Sequence, residues 1–271
     1  MIRQPAVAGM FYPAERAILQ STVRSLLDEN KTPTVDSHGL QGLIVPHAGY
    51  VYSGPTAAVG YACMAELEQD CHYNVVILAP SHRVWFAGAV LPTAPVFRTP
   101  LGDVPVSKEA LMLLDTSEVS ASDEAHREEH AIEVQLPFLQ SVLRDFSIIP
   151  LLLGEADADV LADAIRSLHI PNMLVVVSSD LSHYEPYEQA VRHDRATIAR
   201  IIAREPRGIG ASDACGCIPI HVVQAMAVKA RWQLRLLDYR NSGDTAGDRS
   251  AVVGYAAIGM WEEGANNDVR H

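Results

Sequence analysis

The chain has 271 residues, of which 48% are hydrophobic, so it is long enough to bury a large core. The formal net charge of −12 repels a phosphate backbone, which argues against nucleic acid as a partner. No segment approaches the roughly 20 apolar residues of a membrane span, and the N-terminus lacks the pattern of an export signal. We therefore expect a cytoplasmic protein without a membrane partner.

Apolar runs and longer amphipathic segments alternate along the chain. Runs of Val, Ile and Leu without polar alternation predict strands covered on both faces. These runs lie at residues 43–45, 75–79, 87–91, 147–153, 173–177 and 250–258. Helices are predicted at residues 14–30, 54–68, 108–114, 131–144, 157–168, 187–204 and 218–230. The alternation predicts an α/β fold with a central, mostly parallel or mixed sheet flanked by helices. No linker or repeat divides it, so we assign one domain to residues 1–262 and a flexible tail to residues 263–271.

Three predicted strands are followed by side chains that can carry chemistry. His47 and His82 each come after an apolar run and a proline, which ends a strand because it has no N–H for the ladder. Asp180 and His183 follow a third run. A single histidine at a tight turn is more often structural, but three such strand ends favour a site. In open α/β sheets ligand crevices lie at the carboxyl ends of strands, so these side chains are expected at one edge.

The stretch DACGCIPIH places Cys215 and Cys217 just before a predicted apolar helix. The chain has only four cysteines, unevenly spaced, so reduced thiols are expected instead of a disulfide framework. A thiolate near a helix N-terminus is stabilised there and can act as a soft ligand or a nucleophile. Taken alone, two small buried residues at a turn explain the motif equally well. Beside His47 and His82, metal ligation is the stronger interpretation.

His130 is a further candidate for the site. On a helix, His130 and Glu133 would share a face, from which they could line a pocket or orient a ligand. The nearby charges are interpreted as a solvated helix start, so only His130 is retained; they are Asp123, Glu124, Arg127, Glu128 and Glu129. The remaining histidines are interpreted as ordinary surface or core residues; they are His38, His72, His126, His169, His193, His221 and His271.

The ordered motifs PHAGYVYSG, PSH, EHAIEVQLPFL, SSDLSH and CGCIP resemble those of the Memo-like family, also called AmmeMemoRadiSam system protein B. The likeness runs from AVAGMFYP to SAVVGYAAIGM, which is nearly the whole chain. Cys217 is an additional thiol beside the family's cysteine. That family is in turn similar to the class III extradiol ring-cleaving dioxygenases, which use non-haem Fe(II) on an α/β fold.

The resemblance implies a role for each candidate residue. His47 and His82 match the two histidine ligands of the dioxygenases, and Cys215 stands where those enzymes place a carboxylate. The acid/base histidine is matched by His183. The remaining candidates implied by the resemblance are Asp180, next to that histidine, and His130, as a second pocket histidine.

The function implied by this likeness is that of a metal-dependent, dioxygenase-like redox enzyme acting on a small-molecule substrate. A thiolate is softer than a carboxylate, so Fe(II) is favoured while Cu or Zn also fits. Two alternatives stay open: a non-catalytic Memo-family protein that binds a metal or a partner, and a zinc-dependent hydrolase. By resemblance, the protein partners would be radical SAM and AMMECR-like proteins.

Overall fold

The computed structural model describes residues 2–30, 37–205, 208–245 and 247–264. Within these ranges the strands are β1 (Ile2–Arg3), β2 (Leu40–Val45), β3 (Tyr73–Pro80), β4 (Ala89–Leu91), β5 (Val96–Thr99), β6 (Gly102–Pro105), β7 (Val119–Ala121), β8 (Phe146–Leu153), β9 (Met173–Ser178), β10 (His183–Glu185), β11 (Trp232–Asn241) and β12 (Val252–Glu262). The α-helices are α1 (Arg16–Glu29), α2 (Tyr50–Ala65), α3 (Asp123–Arg127), α4 (Leu136–Val142), α5 (Ala158–Ser167), α6 (Tyr187–Ala203), α7 (Cys217–Ala230) and α8 (Ser242–Thr245). None of the helices in these ranges is long and apolar enough to cross a membrane.

A mixed nine-stranded sheet forms the centre of the fold. Its order is β10-β12-β2-β9-β3-β8-β4-β7, with β11 also paired to β12, and strands β2, β9, β3 and β8 are parallel neighbours. Strand β12 runs antiparallel to β2, and β4 runs antiparallel to β8. A smaller sheet joins β1, β5 and β6. The predicted fold class, a single α/β domain with a mixed sheet flanked by helices, is confirmed.

The core lies on both faces of the large sheet, because the middle residues of β3, β8 and β9 are apolar on both faces. In β3, Val75 and Ile77 pack into one hydrophobic cluster, whereas Val76 and Leu78 pack into the other. Helices α1, α2 and α4 contribute to the first cluster, and α5, α6 and α7 contribute to the second. Burial on both faces explains why uninterrupted apolar runs marked these strands in the sequence.

Some predicted elements differ from the structure. The predicted helix at 131–144 is instead a 3-10 turn at Glu133–Gln135 followed by the short helix α4. Pro137 lies in the first turn of α4, where its missing N–H costs nothing. The predicted helix at 108–114 is a 3-10 helix, Lys108–Asp115. Residues 265–271 of the predicted tail lie outside the described residues, and the domain boundary at 262 stays a prediction.

The strand order decides where the candidate residues meet. Strands β2, β9 and β3 are parallel neighbours, so their carboxyl ends share one edge of the sheet. His47, Asp180 and His82 follow these three strands within two residues of each end. Their convergence is thus set by topology, as the sequence pattern predicts.

Candidate metal centre

Three histidines lie together at this edge of the sheet. One ring nitrogen from each of His47, His82 and His130 lies within 4.8 Å of those of the other two. The ring centroids are 5.1 Å apart for His47 and His82, 5.3 Å for His47 and His130, and 4.7 Å for His82 and His130. Such spacing allows the three imidazoles to face one cation.

The tautomer of His47 follows from its hydrogen bonds. Its Nδ1 lies 3.0 Å from Ser178 Oγ, and that hydroxyl donates its own proton to the carbonyl of Ala131. Ser178 must therefore accept the proton of His47 Nδ1, which leaves a lone pair on Nε2. Burial, followed by the charges of His82 and His130, holds the pKa of His47 well below its usual value. His47 is consequently a neutral imidazole that can act as a ligand.

Glu129 holds the other two histidines. Its Oε1 lies 3.0 Å from His82 Nδ1 and 3.1 Å from His130 Nδ1. The same carboxylate accepts backbone N–H groups from His82, His130 and Ala131. Because the Nδ1 of His82 is bonded to Glu129, its Nε2 is left for a ligand. The Nδ1 of His130 lies within ion-pair distance of the same oxygen but outside hydrogen-bond geometry. An acidic residue behind a metal-binding imidazole is the usual way to fix its orientation and raise its basicity.

The interpretation of Glu129 as part of a solvated helix start is wrong. The residue is only 2% exposed, and its charge is balanced by two imidazoles and three backbone N–H groups. Burial opposes this charge, but the close contacts with His130 and His82 outweigh it and hold the pKa of Glu129 well below its usual value. The sequence signal that could have identified it is the direct Glu-His pair at the end of the charged run.

Glu133 also differs from its predicted role beside His130. It is fully buried and binds Arg3, the hydroxyl of Tyr12 and the backbone N–H groups of Ala6 and Val7. Glu133 therefore anchors the N-terminal segment instead of lining the pocket with His130. The anchored segment also carries Phe11, whose ring packs against His130 at a centroid distance of 4.7 Å.

Cys215 contacts the three-histidine cluster through His47. Its Sγ lies 3.2 Å from His47 Nε2 and accepts the backbone N–H of Asp180 at 3.3 Å. The thiol is not a member of the group of donors that lie within 4.8 Å of one another. Burial, and then the charge of Asp180, raise the pKa of Cys215 above its usual value. A cation near His47 Nε2 would compete with the proton for this sulfur.

Asp180 and His183 occupy different positions in the site. Asp180 is buried, and its Oδ1 accepts the backbone N–H of His47 at 2.8 Å. Burial raises the pKa of Asp180. This hydrogen bond and the charge of His183 act in the opposite direction, but burial outweighs them. His183 opens β10 and is exposed, with its ring 5.9 Å from that of Tyr184. The structure therefore gives Asp180 a direct contact with the cluster and places His183 nearer to solvent.

Comparisons with known proteins agree with the motif pattern. A sequence model for the Memo-like protein family matches residues 3–259. A MEMO1 family protein of Desulfurococcus amylolyticus is 35% identical over 94% of this chain and 98% of its own length. One from Methanopyrus kandleri is 38% identical over 95% of this chain and 98% of its own length. The crystal structure of the uncharacterized protein JW3007 from Escherichia coli K12 shares the fold alone. It has a TM-score of 0.54, 12% identity, and coverage of 81% of this chain and 99% of that one. The chain belongs to the Memo-like protein family.

Proposed function

We propose that this protein binds one transition-metal ion through His47, His82 and Cys215 and uses it for oxygen-dependent redox chemistry on a small molecule. The observation that carries the proposal is the convergence of three imidazoles at one sheet edge, with a thiol 3.2 Å from His47 Nε2. That separation suits two ligands of one ion, since metal bonds to nitrogen and sulfur are about 2.0 and 2.3 Å long.

The residues present fit such an ion. The Nδ1 of His82 is bonded to Glu129 and the Nδ1 of His47 to Ser178, so the Nε2 atoms of these two rings serve as ligands. A mixed set of imidazole and thiolate suits iron, copper and zinc, with Fe(II) favoured by the likeness to the dioxygenases. When bound, the ion would supply a redox centre with open positions for oxygen and substrate.

The chain's own residues would handle the protons. His183 is exposed beside Asp180, so its ring can take a proton from a substrate hydroxyl and return it later. His130 lies 4.7 Å from the ring of His82 and faces the same space, where it can hold a hydrogen bond to substrate. The backing of His130 by Phe11 keeps water from that side of the ring.

The test is purification without air, followed by metal analysis and oxygen uptake with catecholic compounds. The double variant His47→Ala/His82→Ala is compared with wild type, and His169→Gln, an exposed histidine at the end of α5, is the matched control. We expect about one metal ion per chain and oxygen uptake in wild type and control, and neither in the double variant. Bound zinc with hydrolysis and no oxygen uptake would support the hydrolase alternative, and absence of metal would overturn the proposal.

A further inference from the structure

We infer that His193 is a positioning residue that clamps the loop carrying Cys215 to the strand carrying His183. The inference rests on the proposed metal site, because it concerns how two of that site's side chains are kept in place. It replaces the interpretation of His193 as an ordinary surface or core histidine.

The clamp is formed by two short contacts to separate parts of the chain. His193 Nδ1 lies 2.9 Å from Glu185 Oε1, and its Nε2 lies 2.8 Å from Asp213 Oδ1. Glu185 is two residues after His183 in β10, and Asp213 is two residues before Cys215. One imidazole on α6 thereby connects both flanks of the site.

The carboxylate of Asp213 also holds the loop that precedes Cys215. Asp213 Oδ2 accepts the N–H of Gly210 at 2.7 Å, and the N–H groups of Asp213 and Ala214 donate to the Gly210 carbonyl. The far side of the loop is held by the N–H of Gly216, which donates to Ser179 Oγ at 3.0 Å. Cys215 lies between these two supports and also donates its own N–H to the carbonyl of Asp180 at 3.3 Å. Of these holds, Asp213 is the one that depends on His193.

The other partner of the clamp lies in an irregular strand. Tyr184, between His183 and Glu185, has a φ of +59°, and the pairing of β10 with β12 shifts register there. A bulky residue with positive φ needs support from the surrounding structure. His193 supplies it through Glu185. The next residue of α6, Asp194, adds a second hold by accepting the N–H of Ser182 at 3.0 Å.

The charges around His193 explain why an imidazole suits this position. Two carboxylates accept from its two ring nitrogens, so the ring makes both hydrogen bonds only as an imidazolium. The side chains of His193, Glu185 and Asp213 are 23%, 22% and 17% exposed, so the contacts are partly shielded from solvent. Two other charged groups lie near the His193 ring and its partners. One is the buried carboxyl of Asp194, and the other is the guanidinium of Arg200, which lies near Asp213.

Loss of the imidazole has a specific expected consequence. Glu185 and Asp213 would face each other without the cation between them, and their repulsion would separate the two segments. Neither carboxylate touches His47, so the three-histidine cluster would be left in place. The sulfur of Cys215 would move away from His47 Nε2.

The experiment compares wild type with His193→Ala, His193→Gln and the control His169→Gln, all loaded with Co²⁺ without air. Cobalt is the probe because a thiolate ligand adds a near-ultraviolet charge-transfer band that imidazole ligands do not give. We expect wild type and control to show this band. We expect His193→Ala to lose it and to bind Co²⁺ about 10- to 100-fold more weakly, with visible bands from the histidines retained.

A second measurement does not depend on metal. The rate at which iodoacetamide alkylates Cys215 in metal-free protein, followed on the Cys215 peptide by mass spectrometry, should rise several-fold in His193→Ala. If that variant fails to fold by circular dichroism, His193→Gln answers the same question with a smaller change, because its amide cannot supply the cation between the two carboxylates. An unaltered band, affinity and alkylation rate in the folded variant would overturn the clamp. If wild type itself binds no Co²⁺, the proposed function fails, and the alkylation rates decide the clamp alone.

Discussion

The two halves of the candidate metal centre are held in different ways. On one side, the single carboxylate of Glu129 orients both His82 and His130 and also accepts backbone N–H groups next to them. On the other side, Cys215 depends on supports from distant parts of the chain, including His193 through Asp213. The first half is held by one carboxylate, whereas the second is held by several contacts from separate parts of the chain. The comparison indicates that damage to the first half should weaken metal binding strongly, and that damage to the second should change the set of ligands.

The largest effect is expected from Glu129→Ala. This variant removes the acceptor behind two imidazoles at once, so both rings lose their fixed orientation. We expect the affinity for Zn²⁺ to fall about 100-fold, the upper end of the range for residues that support metal ligands. Isothermal titration calorimetry measures it. Glu128→Ala changes the exposed neighbouring carboxylate and should bind like wild type; a similar loss in both variants would contradict the role of Glu129.

A smaller effect is expected from Cys215→Ser. The thiol has a raised pKa, so its deprotonation costs part of what the metal bond provides. We expect the affinity for Zn²⁺ to fall about tenfold, with the thiolate band of the Co²⁺ protein lost entirely. Cys71→Ser, at a partly exposed cysteine outside the site, is the control. If the band persists in Cys215→Ser, the sulfur ligand is a different cysteine, and Cys217 becomes the candidate.

The smallest effect is expected in the pH dependence of folding. The hydrogen bond to Asp213, and that to Glu185, raise the pKa of His193 against the effect of burial. Because the pKa of His193 is raised in the folded state, the clamp stabilises the protein fully at pH values below the unfolded-state pKa of about 6.5. This stabilisation is lost as the pH rises through the folded-state pKa of His193. Urea unfolding of wild type and His193→Gln should show a difference near pH 6 that shrinks toward pH 9. A difference independent of pH would contradict the charged clamp.

The sequence predicts those site residues whose positions follow from the order of the strands. His47, His82 and Asp180 could be placed together because each follows a buried parallel strand, and such ends share one edge. Cys215, far along the chain, was a candidate because it precedes a predicted helix, and the resemblance to the Memo-like family implied its place as the third ligand. The central strands of the sheet were predictable for a related reason, since strands buried on both faces appear in the sequence as apolar runs.

Other features could not be inferred, because tertiary contacts decide them. Glu129 stands in a run of charges, and only the approach of His82 from another strand makes its burial favourable. His193 gains its two partners from an irregular strand and a turn that no local pattern marks. The sequence pattern did not predict strand β11. This strand pairs with β12 alone among the described strands, and its first residues alternate between buried and half-buried, so it has no continuous apolar run.

The central claim is that one ion is shared by imidazoles and the sulfur of Cys215. X-ray absorption spectroscopy of the Zn²⁺-loaded protein tests it most directly, because bonds to nitrogen and sulfur differ in length. The account predicts one zinc per chain, with two or three nitrogen ligands at about 2.0–2.1 Å and one sulfur at about 2.3 Å. A zinc shell without sulfur, or protein that retains no zinc, would contradict it.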